Sequence, residues 1–155
     1  MLIVSENGAR AGDTLYLTGT IGTPRLDGDA AEALLLGIRQ MFTPHALADT
    51  ANGILAAARE IARSTGLGFR IIEETLPVAA ESVEKARDGI LTAAMRTAHG
   101  GYLFCSPRRP VATMTITIDG IRITPVGELL RTGRTVERNG KSNNADCDAA
   151  DIDAP

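Results

Sequence analysis

The residues best suited to chemistry lie in the run Ala48-Asp49-Thr50-Ala51-Asn52-Gly53-Ile54, where a carboxylate, a hydroxyl, an amide and a glycine precede an apolar helical pattern. Asp49 or Thr50 suits the cap of that helix, and the helix's first amides, at the positive end of its dipole, make a small anion site. Two readings of the run stand side by side. In one it is an ordinary N-cap; in the other Asp49 and Asn52 face a phosphate, or a magnesium ion bound to one. Spacing alone does not choose between them. A second candidate is Gly12-Asp13-Thr14-Leu15-Tyr16-Leu17-Thr18-Gly19-Thr20-Ile21-Gly22. It reads as a turn, then a half-buried strand with Leu15 and Leu17 on one side and Tyr16 and Thr18 on the other, then a loop. Gly19 and Gly22, with Thr20 between them, let that loop turn sharply and approach a ligand. Cys105, in Tyr102-Leu103-Phe104-Cys105, reads as a small buried thiol on an apolar strand. Cys147 lies in a polar tail. Neither cysteine has a partner at metal-ligand spacing, and His45 and His99 form no recognisable catalytic arrangement with Cys105.

The elements that must position these residues alternate between strand and helix. Ala31, Leu34, Leu35, Ile38, Met41 and Phe42 recur at helical spacing, and Pro44 closes the segment. A second helix places Ile54, Leu55, Ala58, Ile61 and Ala62 on one face and Arg59, Glu60 and Arg63 on the other, and ends at Gly66 and Gly68. Phe69 to Ile72 reads as a strand. A third helix is expected from about Ala79 to Thr97, with Val83, Ala86, Ile90 and Ala94 as its buried stripe and Gly100-Gly101 as its stop. Met114, Ile116 and Ile118 alternate with threonines, Asp119-Gly120 is a two-residue hairpin turn, and Ile121 and Ile123 return on the partner strand. Thr132 to Lys141 suggests one more weak strand pair around Asn139-Gly140. Ser142 to Pro155 lacks the apolar residues to offset its own ordering and reads as a disordered acidic tail. The expectation is one α+β domain over residues 1–141, with about three helices, followed by the tail at 142–155.

Composition narrows the function classes. With 155 residues, 44% hydrophobic and 23% charged, the chain can bury an ordinary core without disulfides or metal. The absence of Trp suggests a core of Ala, Leu, Ile and Val. The net charge of −3 resides wholly in residues 141–155, which hold one Lys and four Asp, so no basic field is present for nucleic acid. No apolar run is long enough to span a membrane, and Met1-Leu2-Ile3-Val4 leads at once into Ser5-Glu6-Asn7-Gly8 in place of a secretory signal. A cytoplasmic location is expected.

The order of motifs resembles the C-terminal domain of the superfamily of aminoimidazole ribonucleotide synthetase, thiamine monophosphate kinase, selenophosphate synthetase and a hydrogenase maturation factor. Ala11-Gly12-Asp13 with the strand to Gly22 is similar to that domain's opening segment. Asp49-Thr50-Ala51-Asn52-Gly53-Ile54 resembles the thiamine monophosphate kinase pattern Asp-Val-Ser-Asp-Gly-Leu. Ser64-Thr65-Gly66-Leu67-Gly68, the run to Leu76-Pro77-Val78, and Gly101-Tyr102-Leu103-Phe104-Cys105-Ser106-Pro107 follow in family order. Thr124-Pro125-Val126-Gly127-Glu128, with the stretch to Asn139-Gly140-Lys141, is closest to the kinase branch. The resemblance spans about residues 5–141. It implies a mixed, mainly antiparallel sheet packed with helices, a phosphate or substrate site at Asp49, Thr50, Asn52, Gly53, Gly19, Thr20 and Gly22, and ATP and magnesium as cofactors with Asp49 as a metal ligand. It also implies a preceding domain that supplies the acidic metal ligands and most of the ATP site, usually across a homodimer interface.

This chain departs from the kinase pattern in two places. Asn52 stands where that branch carries a second acid, and His99-Gly100-Gly101-Tyr102-Leu103 stands for an acidic Gly-Asp-Asp-Tyr-Glu stretch. A neutral amide holds magnesium less well than a carboxylate. Phosphoryl transfer depends on positioning and on charge neutralisation by metal, so this stretch alone is not expected to catalyse it. Three readings follow: half of a kinase-like enzyme completed by another domain or chain, a non-catalytic binding or assembly module, and a hydrogenase-maturation-like role. The last is suggested by Glu73-Glu74-Thr75-Leu76-Pro77-Val78, although the maturation factor's terminal cysteine has no counterpart, since eight residues follow Cys147.

Overall fold

A computed structural model of the chain describes residues 2–4, 8–21, 26–77, 100–107, 116–138 and 141–144. They form one sheet with strands β1 (Leu2–Val4), β2 (Thr14–Thr18), β3 (Ala46–Asp49), β4 (Gly68–Ile72), β5 (Tyr102–Ser106), β6 (Ile116–Ile118), β7 (Ile121–Leu130), β8 (Arg134–Arg138) and β9 (Lys141–Asn144). The order across the sheet is β1-β3-β5-β2-β7-β4-β8-β9, and β6 also pairs with β7. Only β4 and β8 run parallel; every other pair is antiparallel. The described residues also hold two helices, α1 (Gly28–Met41) and α2 (Ile54–Thr65). The expected α+β architecture with a mixed, mainly antiparallel sheet is therefore present. The third expected helix lies outside the described residues.

Side-chain alternation sends the strands' apolar residues to both faces of the sheet. Leu15, Leu17, Ala46, Ala48, Leu103, Cys105, Phe69 and Ile71 pack with the buried stripe of α2, which is Ile54, Leu55, Ala58, Ile61 and Ala62 as the helical spacing indicates. Tyr16, Leu47, Phe104, Ile118 and Ile123 point the other way, against Leu34, Ile38 and Phe42 of α1. The α2 side is the aliphatic core expected from composition. The α1 side is aromatic instead: Tyr16, Phe42 and Phe104 meet with ring centroids 4.9 to 5.3 Å apart, inside the range of favourable aromatic pairing. Arg59 corrects the expected polar face of α2, because it is buried and its Nε donates to the Leu55 carbonyl at 3.5 Å.

The central strand β7 carries Pro125 where its ladder with β2 is irregular. Leu15 opposes Gly127 and Tyr16 opposes Pro125, which leaves Val126 as the extra residue of a β-bulge. Gly127 lies so close to β4 that an added Cβ would run into the Arg70 carbonyl oxygen. Across the same two strands Arg70 reaches Glu128 at 2.8 Å and Glu137 of β8 at 3.6 Å. The hairpin at Asp119-Gly120 forms as its sequence indicates, with φ of 50° and 80° at the two turn residues, the primed geometry that suits strand twist. β8 and β9 form the weak pair expected near residue 139, and β9 carries the sheet through Asn144, into the segment read as tail. Two short strands, β1 and β3, were not anticipated. Among the described residues no helix is long and apolar enough to cross a membrane.

Gly127→Ala should lower stability by about 2 kcal/mol or more, since a rigid backbone oxygen must move to admit the methyl. Gly28→Ala, at the open start of α1, should leave stability unchanged or slightly raised. Urea denaturation of the two variants measures the contrast.

Candidate functional site

The end of the sheet where β2 and β3 finish and β5 begins gathers most of the residues singled out by sequence. Asp49 is the last residue of β3 and pairs across the ladder with Tyr102, the first of β5. Two further bonds fasten the loops here. The Tyr102 amide donates to Thr18 Oγ1 at 2.9 Å, and the Thr50 amide donates to the Gly101 carbonyl at 3.0 Å. Gly19 follows β2 with φ of 72°, a conformation that favours glycine, and its amide donates to the Arg122 carbonyl at 2.8 Å. Thr20 is half-buried beside it, and the Ile21 amide donates to the Pro77 carbonyl at 2.8 Å. Gly22 lies outside the described residues.

The capping expectation needs correction. Neither Asp49 nor Thr50 is the N-cap of α2; the N-cap is Gly53, with φ of 97° and ψ of 164°, which has no side chain to bond the first turn. Asp49 is drawn into a local turn, its Oδ1 accepting from the Ala51 amide at 3.2 Å. Thr50 is fully buried, and its carbonyl accepts the Gly53 amide at 2.9 Å, which closes the turn before the helix. Asn52 is exposed at the tip of that turn. The backbone conformation at Gly53 is open to glycine almost alone, so α2 begins at a glycine in place of a capping side chain. The result is a helix N-terminus anchored to a sheet end, flanked by one half-buried carboxylate and one exposed amide.

This arrangement suits an anion bound at the start of α2. It does not suit a magnesium ion held by the protein alone. Among the described residues no cluster of three His, Cys, Asp or Glu side chains is arranged to hold a metal, and Asp49 is the single carboxylate at the turn. Magnesium takes near-octahedral oxygen coordination, with phosphate oxygens and water completing one or two carboxylates.

A second polar group was missed by sequence reasoning. His45 Nδ1 lies 2.7 Å from Asp13 Oδ2, and both side chains are buried. Asp13 Oδ2 also accepts the Arg10 amide at 3.0 Å. The Leu129 amide donates to the Asp13 carbonyl at 2.8 Å, and the Gly12 amide to the Leu129 carbonyl at 2.9 Å. The pair thus ties the entry to β2 both to β7 and to the start of β3. Cys105 sits nearby, yet no nucleophile results. The His45 amide donates to the Cys105 carbonyl at 2.8 Å, a main-chain contact, while burial, helped by the Asp13 charge, pushes the thiol up to about 12. The thiolate needed for attack is absent at neutral pH. The reading of Cys105 as a buried, inert thiol on a strand agrees with this.

Two measurements follow from these geometries. Gly53→Ala should cost about 1 to 3 kcal/mol through backbone strain, whereas Asp49→Ala, which loses the local bond from the Ala51 amide, should cost about 1 kcal/mol in denaturant titrations. Above pH 9 an unfolded thiol gives up its proton while the folded Cys105 keeps it to about 12. Stability should therefore fall as pH rises through that window, by up to about 1.4 kcal/mol per pH unit. The difference in stability between the wild type and Cys105→Ala, followed from pH 8 to pH 11, isolates this slope; parallel curves would contradict it.

No family model matches the chain, and no curated protein is similar to it at a significant level. Solved structures do share its fold. Escherichia coli HypE, a hydrogenase maturation protein, superposes with a TM-score of 0.68 at 21% identity over 92% of this chain and 51% of its own. Thiamine monophosphate kinase from Aquifex aeolicus gives 0.60 at 22% identity over 90% of this chain and 54% of its own. Phosphoribosylformylglycinamidine synthase II from Thermotoga maritima gives 0.68 at 15% identity over 94% and 27%. The chain thus spans about half the length of HypE and of the kinase. What these similarities establish is the architecture: the chain has the C-terminal-domain fold of the aminoimidazole ribonucleotide synthetase superfamily.

Proposed function

We propose that this chain acts as the C-terminal half of an ATP-dependent phosphoryl-transfer enzyme of the thiamine monophosphate kinase type. The observation that carries the reading is the N-terminus of α2, entered at Gly53 and held by the Thr50 and Gly53 backbone against the sheet end formed by β2, β3 and β5. A phosphate-bearing ligand would rest against the turn Asp49, Thr50, Asn52 and Gly53, with the loop at Gly19 and Thr20 as the opposite wall. Support also comes from the kinase itself, whose structure has been obtained with AMPPCP and TMP. ATP and most of the magnesium ligands would come from an N-terminal-type domain or a partner chain, because one carboxylate at Asp49 does not complete a metal site. On its own the chain would bind nucleotide weakly and transfer no phosphoryl group.

A hydrogenase-maturation-like or non-catalytic assembly role is the second reading. Two observations favour it: the higher TM-score with HypE, and the neutral Asn52 where the kinase pattern has an acid. HypE also occurs in a complex with HypF, so a chain of this fold can work through a partner.

Titration calorimetry with ATP, with and without magnesium, tests the first reading. The wild-type chain should bind no tighter than about 1 mM, near −4 kcal/mol. Asn52→Asp should weaken binding of metal-free ATP and strengthen binding of the magnesium complex. Micromolar affinity in the unmodified chain would contradict an incomplete site, and an Asn52→Asp variant indifferent to magnesium would favour the non-catalytic reading.

A further inference from the structure

At the end of the sheet opposite Asp49 and Gly53, β7 finishes and β2, β4 and β8 begin. Arginines gather there from three separate segments. The bond from the Gly12 amide to the Leu129 carbonyl holds the loop of Arg10 beside the last residues of β7. α2 runs back from the other end and carries Arg63 in its last turn, five residues before Gly68 opens β4. Arg131 follows β7 and Arg134 opens β8, and the turn between them packs on Gly68, where an added Cβ would meet the Thr132 and Gly133 backbone. Arg10, Arg63 and Arg131 are exposed, and Arg134 is half-buried.

The charge at this end is one-sided. Across residues 8–14, 43–46, 62–68, 104–107 and 129–134 the single carboxylate is Asp13, and it is buried 2.7 Å from His45. Among the described residues no carboxylate forms an ion pair with Arg10, Arg63 or Arg131. Like charges so placed repel one another and attract an anionic partner. The chain carries the opposite charge to the same place. β9 runs antiparallel to β8, and its last residue, Asn144, stands opposite Thr135, next to Arg134. Asp146, Asp148, Asp151 and Asp153 follow Asn144 in sequence, with no Lys or Arg among residues 142–155. Neighbouring strands are about 4.8 Å apart, so β7 lies about 10 Å from β8 and β2 about 15 Å. The nine residues from Asn144 to Asp153 can reach about 30 Å, enough to bring all four carboxylates to the arginines.

We infer that the arginine end of the sheet is a docking surface for the chain's own acidic segment, Asp146 to Asp153. The contact lies at the far end of the sheet from Asp49 and Gly53, and it stands whether or not the phosphoryl-transfer reading does. Exposed ion pairs are weak one by one, so the contact depends on several acting together and loosens as salt rises.

A nitroxide label on Cys147, between two of the aspartates, tests this in the full chain; Cys105 is buried and stays unlabelled. The measurement is the paramagnetic broadening of the backbone amides of Arg10, Ala11, Ser64 and Thr65, which lie two strands or more from β9. The comparison chain carries the same label with Asp146, Asp148, Asp151 and Asp153 all changed to Asn. Broadening should be about threefold or more greater in the wild type, since the contact rests on several weak ion pairs. It should fall to the level of the Asn variant in about 1 M NaCl, where the screening length is about 3 Å. Arg10→Gln, Arg63→Gln and Arg131→Gln combined should reproduce that loss, with circular dichroism confirming the fold. Equal broadening in the wild type and the Asn variant, indifference to salt, or a loss that the arginine variant does not reproduce overturns the inference. So does broadening of unlabelled, isotope-enriched chain mixed with labelled chain, which would assign the aspartates to another molecule.

Discussion

The bulge in β7 is the constraint on which the rest of the sheet depends. Ten residues long, β7 pairs with β2 along one edge and, successively, with β6 and then β4 along the other. A regular strand would send Val126 and Leu129 to opposite faces, being three residues apart; the extra residue at Val126 puts both in the aliphatic core. The same irregularity accommodates Pro125 in a central strand, and it lets Gly127 press against the Arg70 carbonyl. Register, face and close approach are solved together by three consecutive residues.

Burial on both faces follows from that solution, and the polar contacts follow from the burial. With α1 on one side and α2 on the other, the loops at the sheet ends must satisfy their backbone groups locally or through side chains. At one end Thr18, Thr50 and Gly53 do so, which exposes the start of α2 in a rigid frame. Toward the other, Asp13 collects the Arg10 amide and the His45 ring, a charge-assisted arrangement that joins segments distant in sequence. Both sites are products of packing, and only the first has the open backbone that a ligand requires.

Much of the architecture was legible because it is local. The stripe of α2 is a repeating pattern of Ile, Leu and Ala, the hairpin at Asp119-Gly120 is specified by two residues that tolerate positive φ, and Gly66 ends α2 in the left-handed conformation. β3 escaped because Ala46-Leu47-Ala48-Asp49 is short and alanine-rich, and its alternation is visible only once its neighbours β1 and β5 are known. The cap was misassigned for a related reason. Asp49 and Thr50 have the preferred side chains for capping, but the helix begins later, and a glycine conformation invisible in the sequence decides where. Arg59 was read as solvent-facing from its charge, while its burial is set by what packs over α2. The His45–Asp13 pair links residues that no local pattern connects.

Strand order carries a consequence for how the chain acquires its structure. β2 is made before both of its partners, for Thr14 finds its two neighbours at Ser106 and Glu128. During synthesis an apolar strand with both edges unpaired must wait for most of the domain to emerge, several seconds at about 5 to 20 residues per second. Such non-local pairing also slows folding in general. β2 is thus among the last strands to be secured, and the ribosome-bound chain is exposed to wrong pairings until β5 and β7 arrive to close on it.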